Sequence, residues 1–157
     1  MGVPLGTGAI KTMRTNVVGR GLMLKPTVDA SMLGITPEAA QILNEQIQRE
    51  WSLWADSPDC DMARLDNFYE LQQLAFMGWL MSGDTLALLP TKCRINQPYD
   101  LRIQLIEADR LSSPNYFDTF DNQIVGGVEV DKQGEVVAYH FSKQHPLSRA
   151  SEPIEWV

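Results

Sequence analysis

Cysteine and histidine are almost missing from this chain, with two of each in 157 residues. Cys60 and Cys93 have neither the spacing of a metal-binding pair nor the numbers of a disulfide framework, which argues against stapled secreted folds and zinc modules. Two isolated thiols fit a reducing, intracellular origin. Long hydrophobic runs are missing too: none approaches the roughly 20 residues of a membrane span, so no membrane partner is expected. The opening MGVPLGTGAIKTMR lacks the apolar core and cleavage site of a signal peptide. Its Met-Gly start is like a myristoylation signal only superficially, because Thr7 falls one place too late. Nor is there a basic excess. Thirteen Lys and Arg stand against 20 Asp and Glu, a net charge of -7. With its basic residues scattered, the chain is not expected to bind DNA tightly on its own, since phosphate neutralisation drives such affinity.

What is present is a foldable mixture, 44% hydrophobic and 21% charged, long enough for one domain with a sizeable core. Residues 1–35 are assigned to an N-terminal arm. In it Ile10, Met13, Val17 and Val18 suggest a short helix ending at Gly19 or Gly21, and GLMLKPTV suggests a short extended strand. Thr36-Pro37-Glu38 is a strong helix start: a hydroxyl cap, proline at the first turn and an acid near the positive helix end. Ile42, Leu43, Ile47, Trp51 and Trp54 then share one face, and the helix should stop near Ala55, before Pro58. A second helix is predicted from Asp66 or Asn67, with Glu70 completing a capping box, as far as Gly83. The two helices are expected to pack antiparallel, with Trp51, Trp54, Phe68, Leu71 and Trp79 in the core.

Beyond Gly83 the hydrophobic period drops to two. TLALLP is a short strand, and LRIQLIEADRL alternates Leu101, Ile103 and Leu105 inward against Arg102 and Gln104. IVGGVEVDKQGEVVAYHFS suggests two strands around Asp131-Lys132-Gln133-Gly134, with positive φ expected at the glycine. The predicted fold is α+β: two packed helices followed by a mainly antiparallel β-sheet, with residues 36–157 as the body.

A search for chemistry finds little. Ser82, Asp84 and a histidine could be assembled into a triad on paper. However, Met81-Ser82-Gly83 lacks the first glycine of a nucleophile elbow and ends a helix instead of opening one. Cys60 lies between two aspartates, which raise a thiol pKa, so a structural cysteine is the better reading. Cys93 precedes Arg94, which would favour a thiolate only slightly. His140 is expected on the wetter face of a strand and His145 in a surface loop; two histidines without further ligands make no metal site. The early glycines match no phosphate-binding loop, and Glu107 with Asp109 falls far short of a cation cage. No catalytic, cofactor-binding or metal-binding residues are therefore assigned, and no cofactor is expected. The exception is SSPNYFDTFDN, residues 112–122. Tyr116, Phe117 and Phe120 sit there in a polar loop, as interface anchors do, and are candidate subunit contacts.

In order along the chain stand NVVGRGLMLKP, REWSLWADSPDCD, FYELQQLAFMGWLMSGDTLALL, LRIQLIEADRLSSPN and GGVEVDKQGEVVAYHFSKQHP. Singly these are weak; their order and spacing resemble the lambda-type phage portal proteins from about Asn16 onward. Leu86-Ala87-Leu88-Leu89 departs from the resemblance, being plainer than the more aromatic strand often found there. The resemblance implies an N-terminal-proximal fragment of a longer subunit, from its peripheral, wing-like body. It also implies a structural role with no enzymatic activity, in a homo-oligomeric and usually dodecameric ring at the portal vertex of the capsid. Terminase would dock on that ring during packaging, head-completion and capsid proteins would contact it, and DNA would pass through without sequence-specific binding. Assembly would take place in the host cytoplasm, with the virion as final location. The competing reading is an intracellular α+β protein-interaction module unrelated to capsids, and a weaker one is a hydrolase using Ser82 or Cys60.

Overall fold

A computed structural model describes residues 4–114 and 122–145. Four helices come first: α1 (Pro4–Val17), α2 (Ala30–Leu33), α3 (Pro37–Ala55) and α4 (Phe68–Ser82). Five short strands come after them: β1 (Leu86–Leu88), β2 (Gln104–Ile106), β3 (Gln123–Val125), β4 (Val128–Val130) and β5 (Val136–Tyr139). This is the α+β succession that the change of hydrophobic period predicts.

Local chemistry explains the two long helices. Thr36 keeps an extended backbone and its Oγ1 accepts the Ala39 N–H at 3.2 Å, while Pro37 occupies the first turn without sacrificing a needed donor. Helix α4 begins with a complete capping box. Asn67 Oδ1 accepts the Glu70 N–H at 3.0 Å, and Glu70 Oε2 accepts the Asn67 N–H at 2.9 Å. Gly83, at φ 81, closes it in the left-handed region.

The helices do not lie side by side along their length. They pack at one corner, where Phe68, the first residue of α4, meets Trp51 at 5.0 Å and Trp54 at 5.4 Å near the end of α3. The connection between them is a 3-10 turn over Pro58–Cys60 and then an irregular stretch as far as Asn67. The flank of α4 is instead covered by α1, with Arg14 reaching the Met77 sulfur at 3.7 Å.

The segment expected as a strand, GLMLKPTV, is extended but pairs with no strand. Side-chain amides of the helices take its backbone groups. Gln72 accepts the Leu22 N–H at 2.6 Å and donates to the Leu22 carbonyl at 3.1 Å, and Asn44 Oδ1 accepts the Val28 N–H at 3.0 Å. A glutamine that satisfies both backbone groups of one residue does locally what a neighbouring strand would do. Helix α2, absent from the sequence reading, is a single turn capped by Asp29 and closed by Gly34.

Two antiparallel sheets form, β1-β2 and β3-β4-β5. IVGGVEV is not one strand: Gly126 and Gly127, at φ 58 and 83, fold it into a hairpin between β3 and β4. The loop between β4 and β5 matches expectation, with Gly134 at φ 85.

The core gathers Trp54, Ala55, Cys60, Leu71 and Ile103, with Trp51, Phe68, Tyr99 and Leu105 packed against it. Trp79 does not join them. It is 52% exposed and, among the described residues, meets only the Phe76 ring, because it lies about three turns along α4 from the aromatic corner. The expected facing of the 101–105 strand is also corrected. Leu101 is 45% exposed while Arg102 is 1% exposed, so both faces of this segment are covered unevenly and simple alternation fails.

Candidate functional site

The most organised polar structure is the turn that joins α3 to α4. Ser57 Oγ accepts the Asp59 N–H at 3.1 Å and opens the 3-10 turn. Asp61 then organises the next four residues of chain, its two carboxylate oxygens accepting the N–H groups of Ala63 at 3.1 Å and Leu65 at 3.0 Å. Arg94, from the segment after β1, reaches across. Its guanidinium donates to the carbonyls of Asp59 at 3.1 Å, Asp61 at 3.3 Å and Met62 at 2.9 Å, and to Asp59 Oδ1 at 3.3 Å. Arg64, on the open side, adds an ion pair to Asp59 Oδ1 at 2.7 Å. Only a planar fork of five donors can collect three carbonyls and a carboxylate at once.

The backbone is stitched through the same place. Ile103 N–H donates to the Cys60 carbonyl at 2.7 Å, and Met62 N–H to the Ile103 carbonyl at 2.8 Å, a parallel bridge from the turn to the strand leading into β2. Above it the Trp54 indole N–H donates to the Leu101 carbonyl at 3.0 Å. The turn is therefore clamped from three directions, by Arg94, by the 101–103 strand and by the aromatic corner.

Beside the clamp lies an apolar groove of about 500 Å³, walled by Leu43, Ile47, Trp51 and Trp54 of α3 and by Tyr99 and Leu101, with Gln46 and Glu50 along its edge. Glu50 accepts a hydrogen bond from the Tyr99 hydroxyl, which together with Arg49 holds its carboxyl below the usual range. The groove offers packing surface and one carboxylate, with no group poised as a nucleophile.

The residues weighed for catalysis are dispersed. Cys60 is fully buried, and burial first, then the Asp61 charge, pushes its thiol up to about 11, so it is a core residue and not a nucleophile. No described hydrogen bond joins Ser82 to either histidine, and Asp84 caps the Thr85 N–H at 2.7 Å. His140 is not on a wet face: its side chain is 13% exposed and its Nε2 lies 2.8 Å from Glu129. Glu129 also accepts from Asn122 at 2.8 Å, and these two contacts, Asn122 first, lower its pKa. His145 sits at the surface 3.5 Å from Asp109. Among the described residues no group of three or more His, Cys, Asp or Glu is placed to hold a metal ion, and no helix is long and apolar enough to cross a membrane.

Tyr116, Phe117 and Phe120, the candidate subunit contacts, lie outside the described residues. The Arg94 clamp and the α3 groove are the features that sequence reasoning missed. The groove had a partial signal in the apolar face shared by Leu43, Ile47, Trp51 and Trp54, whereas nothing local tied Arg94 to residues 59–62.

The whole chain, residues 1–157, matches the family model described as phage portal protein, lambda family. No curated protein matches it.

Proposed function

Because the chain belongs to the lambda family of phage portal proteins, we propose that it serves as a structural subunit of a ring at one vertex of the capsid, through which DNA is packaged and ejected. The observation that carries this reading is the family match over residues 1–157. The architecture supports it. A conduit subunit needs a corner that resists deformation and faces that meet its neighbours, and the Arg94 clamp and the α3 groove are of these two kinds.

In this reading, residues 36–157 belong to a wing-like body and residues 1–35 form an arm laid against it. The ring is homo-oligomeric and dodecameric, and each subunit presents two different complementary patches to its neighbours, as a cyclic assembly requires. Tyr116, Phe117 and Phe120 are assigned to subunit contact, since loop aromatics are favoured anchors. Terminase docks on the ring during packaging and supplies the ATP hydrolysis; head-completion and capsid proteins bind afterwards. The chain itself turns over no substrate. Its net charge of -7 suits a body that must not hold passing DNA. Assembly takes place in the host cytoplasm and the virion is the final location.

Negative-stain electron microscopy of the protein, purified at low and moderate salt and in its natural particle, tests the reading. Rings with a central hole are expected. Compact particles without a hole under every condition, and no copy at a capsid vertex, would refute it and favour a protein-interaction module unrelated to capsids.

A further inference from the structure

Charge is segregated along this chain. The first 28 residues hold four of its basic residues, Lys11, Arg14, Arg20 and Lys25, and none of its acids. The remaining 9 basic and 20 acidic residues leave -11 on everything after them. A like-charged body with one cationic end has a preferred way to meet its own copies, because opposite potentials steer and select contacts.

The structure shows how that cationic end is presented. It is fastened along Gly19–Leu22 by side chains of its own α4, and at Val28 by Asn44 of α3. Gln73 donates to the Gly19 carbonyl at 3.0 Å, Gln72 holds both backbone groups of Leu22, and Gly21 lies so close to Tyr69 that a Cβ there would come within 2.4 Å of the Tyr69 Cβ. Leu22 is 67% exposed and Met23 78% exposed, and among the described residues Lys11, Arg20 and Lys25, all exposed, form no ion pair. Exposed aliphatic side chains flanked by two cations suit a protein surface better than a phosphate backbone, which offers nothing for Leu22 and Met23 to cover.

A matching surface exists on the same chain, and no described hydrogen bond joins its lining residues to residues 4–28. The α3 groove has apolar walls and a volume of about 500 Å³, room for a few aliphatic side chains. Glu50, which already pairs with Arg49 at 3.0 Å, stands at its edge, and exposed Asp100, outside the lining itself, falls between the lining residues Tyr99 and Leu101 in the chain.

We infer that the segment Arg20–Lys25 of one copy seats in the α3 groove of the next copy, with Leu22 and Met23 entering between Ile47 and Leu101 and the flanking cations meeting Glu50 and Asp100. Donor and acceptor patches are different surfaces, so the contact is heterologous and propagates from copy to copy. This inference rests on the ring reading above and specifies one of its subunit contacts.

Cysteine cross-linking of the complete protein at high concentration tests it. Exposed Cys93 is first replaced by serine, buried Cys60 is retained, and Met23→Cys is combined with Gln46→Cys in one chain. A short bifunctional thiol reagent should yield a ladder extending beyond the dimer, and neither single-cysteine chain should extend beyond a dimer. Lys25→Glu should lower ladder yield by about fivefold at low salt, roughly the effect of one exposed charge pair, with Asp100→Arg restoring it. No cross-link, a product that stops at the dimer, or a yield indifferent to both charge reversals would overturn the contact. If Arg20→Glu abolishes retention on duplex DNA while the ladder is unchanged, the cations serve phosphate and the inference is likewise overturned. Rings seen by microscopy without this cross-link would refute the contact and leave the portal reading intact; a ladder from a protein that never forms rings would do the opposite.

Discussion

Replacing Arg94 with alanine is the sharpest test of how this chain holds its shape. Its side chain is 11% exposed and serves three carbonyls and one carboxylate of the 59–62 turn. Hydrogen bonds to a charged donor are worth about 1.5–3 kcal/mol each when lost singly, and breaking a buried ion pair costs about 3–5 kcal/mol. Those losses do not add here, because Arg64 still neutralises Asp59 and the emptied site admits water to the carbonyls. The expected destabilisation is about 3 kcal/mol. In urea unfolding with a slope near ~2 kcal/mol/M, the midpoint falls by roughly 1.5 M. Arg64→Ala is the internal control: its side chain is 59% exposed, so the loss should stay below about 1 kcal/mol. Arg94→Lys should recover less than half, since one ammonium cannot span the fork's acceptors. If Arg94→Ala costs no more than Arg64→Ala, the turn is held by the 101–103 strand and the aromatic corner instead, and the clamp is incidental.

Gly127 and Gly134 share a left-handed backbone, at φ 83 and 85, but differ in surroundings. Gly127→Ala would place a Cβ 2.7 Å from the Ser112 nitrogen and should cost more than about 2 kcal/mol, whereas Gly134→Asn, in open space, should cost less than about 1 kcal/mol by thermal melting. Trp54→Ala is expected to lose about 3–5 kcal/mol and Trp79→Ala under about 1.5 kcal/mol, and equal losses would refute the core assignment. In the folded protein a maleimide should label Cys93 alone, and urea should release a second equivalent from Cys60. Because the folded Cys60 pKa lies above the unfolded value of 9.0, its contribution is intact below pH 9 and is lost as pH rises towards about 11; a melting temperature flat across that window in wild type and Cys60→Ala alike would contradict this. Glu129 has a lowered pKa, so its bonds to Asn122 and His140 stabilise above pH 4.5 and weaken below it; Glu129→Gln should remove that acid sensitivity.

Much was decided locally. Thr36-Pro37, the Asn67/Glu70 box and Gly83 set the bounds of α3 and α4 through bonds within a few residues, and the Asp131–Gly134 turn did the same for β4 and β5. Such features are legible in sequence because each donor and its acceptor lie within one or two turns of chain. Other outcomes turned on partners far along it. Gln72, 50 residues after Leu22, decided that GLMLKPTV would be held without a strand partner. The burial of Arg102 and the exposure of Leu101 depended on what covered each face of their segment, which a period-two pattern cannot report. Trp79 shares a helical stripe with Phe68, but the stripe is longer than the contact, so distance from the corner and not periodicity set its exposure. The sequence by itself determined where α3 and α4 start and stop, the α+β class and the family; the tertiary structure alone decided which residues share the clamp and the groove, because those contacts link side chains separated by dozens of positions and are made only once the chain has turned back on itself.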